Sequence, residues 1–297
     1  MSDKYNHIHP KFRHIAHLSN SERIQFMDEP RWIGYTRAQE ILDVLQGMLI
    51  KPKKPRMQNL LIVSESNNGK TTLIEHFGDI CGDSFCDGSD EPVRPVIIAE
   101  SPPSADEKAL YISILERFYT PYRATDPKTK LRNQVIHIMR SCQVKILILD
   151  EINSMLTGSP AAQREVMNAL KLLCNELRIP IVGVGTSDAV RILHTDPQHA
   201  SRFDVATLPL WDLNKNFQKL VASFQATLPL RNPSNLHEKD KLILLHSICG
   251  GNLGNLHRLL IACAVKAIKS NSEEITLKII ESCKWIRPSK GIRELFS

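Results

Sequence analysis

The segment SESNNGKT, residues 64–71, constrains this chain more than any other. It follows the apolar run NLLIVS (59–64) and opens a stretch, 70–80, that reads as a helix. An apolar run without alternation that ends in a polar, turn-prone loop is the pattern of a strand buried on both faces of a parallel sheet. Gly69-Lys70-Thr71 matches the end of the G-x-x-x-x-G-K-[ST] phosphate loop. Backbone N–H groups at a helix N-terminus cradle phosphate oxygens, and Gly69 lets the backbone approach closely. Lys70 is expected to reach the β- and γ-phosphates and the Thr71 hydroxyl to ligate Mg²⁺. The cofactor residues expected here are Ser66, Asn67, Asn68, Gly69, Lys70, Thr71 and Thr72, holding ATP with Mg²⁺. Ser64 stands where the motif has its first glycine, so it must accept whatever dihedrals the loop imposes, and Asn67 and Asn68 are suited to share a left-handed turn.

A second constellation stands at the end of KILILDE (145–151). Apolar residues hold that strand in the core and deliver Asp150 and Glu151 to its C-terminal edge, where ligands of open α/β sheets bind. Asp150 is the expected metal residue with Thr71, and Glu151 the residue that orients and polarises the attacking water. Thr186 ends the run PIVGVGT (180–186); its hydroxyl either senses the γ-phosphate or caps a helix, with Ser187 or Asp188 as competing caps. Arg202 reads as a surface ion-pair residue or as a guanidinium that completes a neighbouring subunit's site. Arg258 reads as a solvated helix residue or as a contact to the γ-phosphate.

The rest of the chain organises around these motifs. A helix is expected from Thr36, where Ala38, Ile41, Leu42, Leu45, Met48 and Leu49 recur at helical spacing. The prolines of KPKKPR end it. PVIIAES (95–101) reads as a further buried strand, with helices over 105–119, 130–142 and 161–177. Strands alternating with helices imply a parallel α/β sheet. After TLPLW (207–211) only helical runs follow. The expected division is an N-terminal extension over 1–30, an α/β nucleotide-binding core over 31–212, and an all-helical domain over 213–297. His7, His9, His14 and His17 cluster in the first segment without a carboxylate or cysteine at a regular offset, so a solvated arm or partner-binding extension is expected there rather than a metal site.

Composition sets outer bounds. A chain of 297 residues, 42% hydrophobic and 24% charged, can bury a sizeable core. The formal charge of +6 permits a polyanion partner without requiring one. Seven cysteines, an odd count with no C-x-x-C pair, signal neither a disulfide framework nor a zinc knuckle. A reducing cytoplasm is the expected location. No apolar leader and no membrane-length apolar run occur.

Taken in order, RWIGYTRAQEIL, MQNLLIVSESNNGKTTL, ILILDEINSMLTGSPAAQREVMNALKLLCNELRIPIVGVGT, DPQHASRFD, LPLW and LPLRNPSNL resemble an AAA+ ATPase of the TniB/TnsC family of transposition regulators. The resemblance spans about 30 to 260. It implies an AAA+ P-loop αβα sandwich with a small C-terminal helical lid. It implies an ATPase, slow and stimulated by its partners, that binds duplex DNA without sequence specificity, assembles as a ring or helical filament, recruits a transposase and is released by hydrolysis. Some members work with an RNA-guided target-selection protein. Ile33 and Gly34 match the adenine pocket, Thr186 matches sensor 1 and Arg202 the arginine finger. Arg258 matches sensor 2 one position late, the motif's arginine falling on His257. In the family, DNA contact comes from loops after the second strand and its helix. Here that region holds Lys108, Arg123, Thr125, Lys128, Lys130 and Arg132, with Asp126 as the acid in YRATDPKTKLR. Such a patch suits phosphates without reading bases; as a bare sequence it equally suits a solvated loop face. The competing readings are a replication-initiator or clamp-loader-type ATPase, which would carry a winged-helix domain after the lid, where none is expected, and a nucleotide-dependent scaffold with negligible hydrolysis.

Overall fold

A computed structural model describes residues 5–85, 92–194 and 201–283. Cys86 and residues 196–200 of the DPQHASRFD segment lie outside the described residues. The chain divides into two compact units, Thr36–Pro209 and a second built from residues up to Tyr35 together with those from Leu210 onward.

The first unit is a five-stranded parallel sheet. Its strands are β1 (Asn59–Ser64), β4 (Val96–Glu100), β5 (Ile146–Asp150), β6 (Ile181–Gly185) and β7 (Phe203–Leu208), in the order β4-β5-β6-β1-β7. A two-residue antiparallel pair, β2 (Ser84–Phe85) with β3 (Pro92–Val93), stands apart from it. β1, β5 and β6 are buried at every position, which is why they read as unbroken apolar runs. Leu61, Val63, Ile97, Ala99, Leu147 and Leu149 share one sheet face. They form a single core with Leu110 and Ile114 of α4 (Glu107–Arg117), Leu131 and Val135 of α5 (Lys128–Ser141), and Leu170 and Leu173 of α6 (Pro160–Leu177). Among the other helices, α3 (Lys70–Cys81) packs against β1, β4 and β6, α2 (Thr36–Ile50) packs against α3 and β7, and the one-turn α7 (Val190–Leu193) comes after β6. All strands run the same way, so the loops after β1, β4, β5 and β6 emerge at one edge.

β7 has no counterpart in the sequence expectations. It is an edge strand whose residues 204 and 205 are exposed, so it lacks the continuous apolar run that marks the other strands.

The second unit is helical: α1 (Asn20–Asp28), α8 (Lys215–Gln225), α9 (Lys239–Cys249), α10 (Leu253–Lys269) and α11 (Leu277–Ser282), preceded by a 3₁₀ turn over Pro10–His17. Here the structure differs from the expected solvated arm. Tyr5, Ile8, Ala16 and Met27 are buried, and so is Arg23, whose guanidinium forms a two-pronged pair with Glu273 at 2.6 and 2.7 Å. Ser19 and Glu22 start α1 with a reciprocal capping box. The arm looks polar because the apolar residues of α1 fall on no regular stripe; Met27, with Ile24 and Phe26 packed against the same core, and the buried Arg23–Glu273 pair anchor it.

Candidate nucleotide site

The loop between β1 and α3 turns on two left-handed residues, Asn67 (φ 59°) and Gly69 (φ 84°). Asn68 does not share the turn. It is buried, and its amide nitrogen donates to the carbonyls of Leu208 and Pro209, each at 3.1 Å, tying the loop to the end of β7. Ser64 keeps an ordinary φ as the last residue of β1, so the missing first glycine imposes no strain. Its hydroxyl donates to the Glu65 carbonyl at 2.9 Å.

Lys70 opens α3 and is 6% exposed. Its ammonium donates to the carbonyls of Glu65 (3.0 Å) and Ser64 (3.3 Å) and approaches the Ser64 hydroxyl at 3.5 Å. Burial pushes its pKa down against the opposing pull of Glu151, Asp150 and Glu65. None of the ion pairs among the described residues includes it. A buried ammonium whose hydrogen bonds go to neutral oxygens, with carboxylates near but none in an ion pair with it, is suited to take phosphate oxygens as acceptors.

The next residue meets the second constellation. Thr71 Oγ1 donates to Asp150 Oδ2 at 2.8 Å, while the other Asp150 oxygen accepts from the Glu151 amide at 2.8 Å. A hydroxyl and a carboxylate brought together at a phosphate loop are hard oxygen donors, the set Mg²⁺ takes when substrate phosphates supply the rest. Among the described residues no cluster of three or more His, Cys, Asp or Glu offers an all-protein metal cage. Thr72 is exposed on the first turn of α3.

Glu151 itself is left-handed, φ 52° and ψ 38°, and begins a 3₁₀ turn over Ile152–Leu156. Its side chain is exposed at the sheet edge. The Asn153 side-chain oxygen accepts from the Thr186 amide at 3.0 Å. Thr186 occupies the N-cap position of the turn after β6, yet its hydroxyl makes no capping bond, so the capping alternative is not realised. Asn153 escaped the sequence expectations: a single amide in an irregular turn has no period or motif to mark it.

Arg202 immediately precedes β7, and its carbonyl accepts from the Asn59 amide at 2.8 Å. It stands at the edge where β1 begins, opposite the edge where the phosphate loop emerges. Five residue steps at about 3.3 Å separate the two edges, roughly 17 Å. Its guanidinium donates to Asn175 Oδ1 at 3.0 Å; no ion pair is formed among the described residues. Ile33, Gly34, His257 and Arg258 belong to the helical unit, where Ile33 packs against the apolar core and both His257 and Arg258 are exposed on α10.

The basic patch is less free than its sequence suggests. Lys128 pairs with Glu165 and Glu107, Lys130 pairs with Asp126 at 2.9 Å, and the Lys108 ammonium donates to the Ala124 carbonyl. The partner acids Glu107 and Glu165 lie on α4 and α6, distant in sequence from α5. Arg123 and Arg132 make no ion pair among the described residues, and Thr125 is exposed.

A family model described as the bacterial TniB protein matches residues 23–213, more than half of the chain. The chain belongs to the TniB family. No curated protein matches it. Among solved structures it resembles the ORC2 protein of Aeropyrum pernix in ADPNP–ADP complexes, with a TM-score of 0.63 and 15% identity over 87% of this chain and 70% of that one. It also resembles Cdc6p from Pyrobaculum aerophilum (0.60, 15%, 87% and 68%) and Drosophila ORC bound to DNA (0.56, 11%, 90% and 66%). At such identities the likeness is one of fold. The TniB-family chain has the AAA+ architecture, a parallel αβα sandwich with a C-terminal helical region. No helix among its described residues is long and apolar enough to cross a membrane.

Proposed function

We propose that this protein is an ATP-hydrolysing, DNA-binding regulator of transposition that assembles on duplex DNA in its ATP state, recruits a transposase and leaves on hydrolysis. The observation that carries the reading is the Thr71–Asp150 hydrogen bond beside the buried Lys70, whose ammonium donates to the Ser64 and Glu65 carbonyls. Membership of the TniB family directs it to transposition rather than to replication initiation, which the ORC and Cdc6 likeness would suggest by fold alone.

In this reading Lys70 neutralises phosphate charge, and the loop from Ser66 to Thr72 surrounds the phosphates. Thr71 and Asp150 would hold Mg²⁺, which when bound supplies further positive charge against the phosphate oxygens. Glu151, exposed on its left-handed turn, orients and polarises the attacking water. The Thr186 hydroxyl, free of capping duty, reports on the γ-phosphate. Ile33 and Gly34 carry the adenine-pocket role, and Arg258, or His257 beside it, the sensor-2 role. Arg202 is too far from its own loop to act in cis, which supports a role on a neighbouring copy in a ring or filament. Arg123 and Arg132 are the patch cations left for DNA phosphates, with Thr125 beside them; Lys108, Lys128 and Lys130 would have to exchange internal partners to contribute. The partners are duplex DNA, a transposase and a target-selection protein, RNA-guided in some family members.

Electron microscopy and pelleting with duplex DNA and ATP test the reading. Lys70→Ala should abolish ATP-dependent assembly. Glu151→Gln should block phosphate release while keeping or prolonging assembly. Loss of assembly in Glu151→Gln would sink the switch mechanism. Intact ATP binding with no phosphate release in the wild type, with or without DNA, would favour a scaffold.

A further inference from the structure

β6 ends in Gly183-Val184-Gly185, and the two glycines, two residues apart, lie on the same face of the strand. The turn that follows Glu151 sits directly on that face. A Cβ at Gly183 would come 2.7 Å from Ile152 Cδ1, and one at Gly185 would come 2.7 Å from Asn153 Oδ1. Both distances are too short for real contacts, so the glycines are what allow the turn to lie so close. That close approach is used once, by Asn153, whose side-chain oxygen takes the Thr186 amide.

This bond spans the two loops that carry the water-orienting carboxylate and the hydroxyl sensor. Glu151 is fixed on one side by its amide to Asp150 Oδ1 and by its carbonyl, which accepts from Ser154 at 2.9 Å. Thr186 is fixed on the other side by its carbonyl, which accepts from Ala189 at 2.9 Å. Ser154 in turn donates its hydroxyl to the Pro102 carbonyl at 2.6 Å, anchoring the turn to the segment after β4. Asn153 is a side chain that joins these two local hydrogen-bond networks.

We infer that Asn153 is a positioning residue for hydrolysis: it sets the Thr186 hydroxyl and the Glu151 carboxylate in one geometry by holding the Thr186 amide, and Gly185 is glycine to leave room for it. This inference rests on the proposed ATPase reading. Misplacement of a reacting group by about 1 Å is enough to cost on the order of 100-fold in rate. Binding should be spared, because Asn153 touches neither the phosphate loop nor the Thr71–Asp150 pair among its assigned contacts.

The experiment joins turnover to a readout that needs none. In the nucleotide-free protein, hydrogen exchange at the Thr186 amide should be slow, and at least about 10-fold faster in Asn153→Ala. In DNA-stimulated phosphate release, Asn153→Ala should lose about 10- to 100-fold in kcat with KM for ATP and the melting temperature little changed. Gly185→Ala, which pushes on the same oxygen, should lower kcat too, and the double variant should fall well short of the product of the two losses, since contacting residues couple. A Thr186 amide that exchanges freely in the wild type, an Asn153→Ala protein with wild-type kcat, or strictly multiplicative losses would each overturn the inference. A wild-type protein that protects this amide but never releases phosphate would overturn the ATPase reading and leave the Asn153–Thr186 link standing as a structural fact.

Discussion

Glu151 holds a backbone conformation that costs a residue with a Cβ about 1–2 kcal/mol. Strain of this kind persists where surrounding bonds over-determine it, and here the Asp150 carboxylate and the Ser154 amide grip both ends of the residue. The left-handed turn lets the chain leave β5 sharply and leaves the carboxylate exposed at the sheet edge. Glu151→Gly should therefore raise folding stability by up to about 1 kcal/mol, the relieved strain less the added backbone freedom. Phosphate release should vanish and ATP binding persist. Calorimetry beside a nucleotide-binding titration checks this; a lower melting temperature would mean that the conformation stores no strain. The acidic pair was legible because D-E at the end of an apolar strand is a recurrent pattern. Its strain was not, since dihedrals leave no mark on residue identity unless glycine is used. Asn153 was hidden for a related reason: its partner is a backbone amide 33 residues away, and a backbone amide looks the same in every sequence.

At the scale of elements, apolar patterning fixed β1, β4, β5 and β6 and the helices α2 to α6 to within about two residues, because each buries a continuous run or a regular stripe. It missed β7 and α1, which are held by edge pairing and by the Arg23–Glu273 pair. That pair makes the anchoring of α1 dependent on pH. Burial alone pushes the Glu273 carboxyl up, but the hydrogen bond from Arg23, the Arg231 amide and the charges of both arginines outweigh it, so the net shift is downward. A depressed carboxyl contributes stability above its unfolded pKa and loses it as pH falls through the folded value. Removing one partner strands a buried charge, whereas replacing both with apolar residues does not. Arg23→Ala should destabilise the helical unit by about 3–5 kcal/mol. Arg23→Met with Glu273→Leu should recover most of that and flatten the fall in melting temperature between about pH 5 and 3. Scanning calorimetry across that range decides it. Equal losses in the single and double variants would show that the ion pair does not anchor the helix.

At the scale of the molecule, the sheet separates two pieces of one proposed site. The phosphate loop leaves β1 at one edge and Arg202 enters β7 at the other, and parallel pairing of Asn59 with Phe203 through Ser64 with Leu208 fixes that separation. No side-chain rotation spans roughly 17 Å, because an arginine extended from its Cα reaches less than half of it. An arginine finger at this position can serve only another copy, in a head-to-tail arrangement that makes rings or filaments. The sequence left Arg202 open between an arginine finger and a surface ion pair; the sheet register is what separates it from its own loop. Arg202→Ala should bind ATP yet release phosphate at least about 100-fold more slowly, and Lys70→Ala should fail at binding. Mixed in equal amounts on duplex DNA, Arg202→Ala and the assembling but inactive Glu151→Gln should regain about a quarter of the wild-type rate, because a site with intact Glu151 and a neighbour's intact Arg202 forms at random in that share of contacts. Complementation that rises and saturates with total protein concentration would tie the recovery to assembly. Mixtures as inactive as their components, although both proteins join the same assembly, would mean that Arg202 serves no neighbour's site.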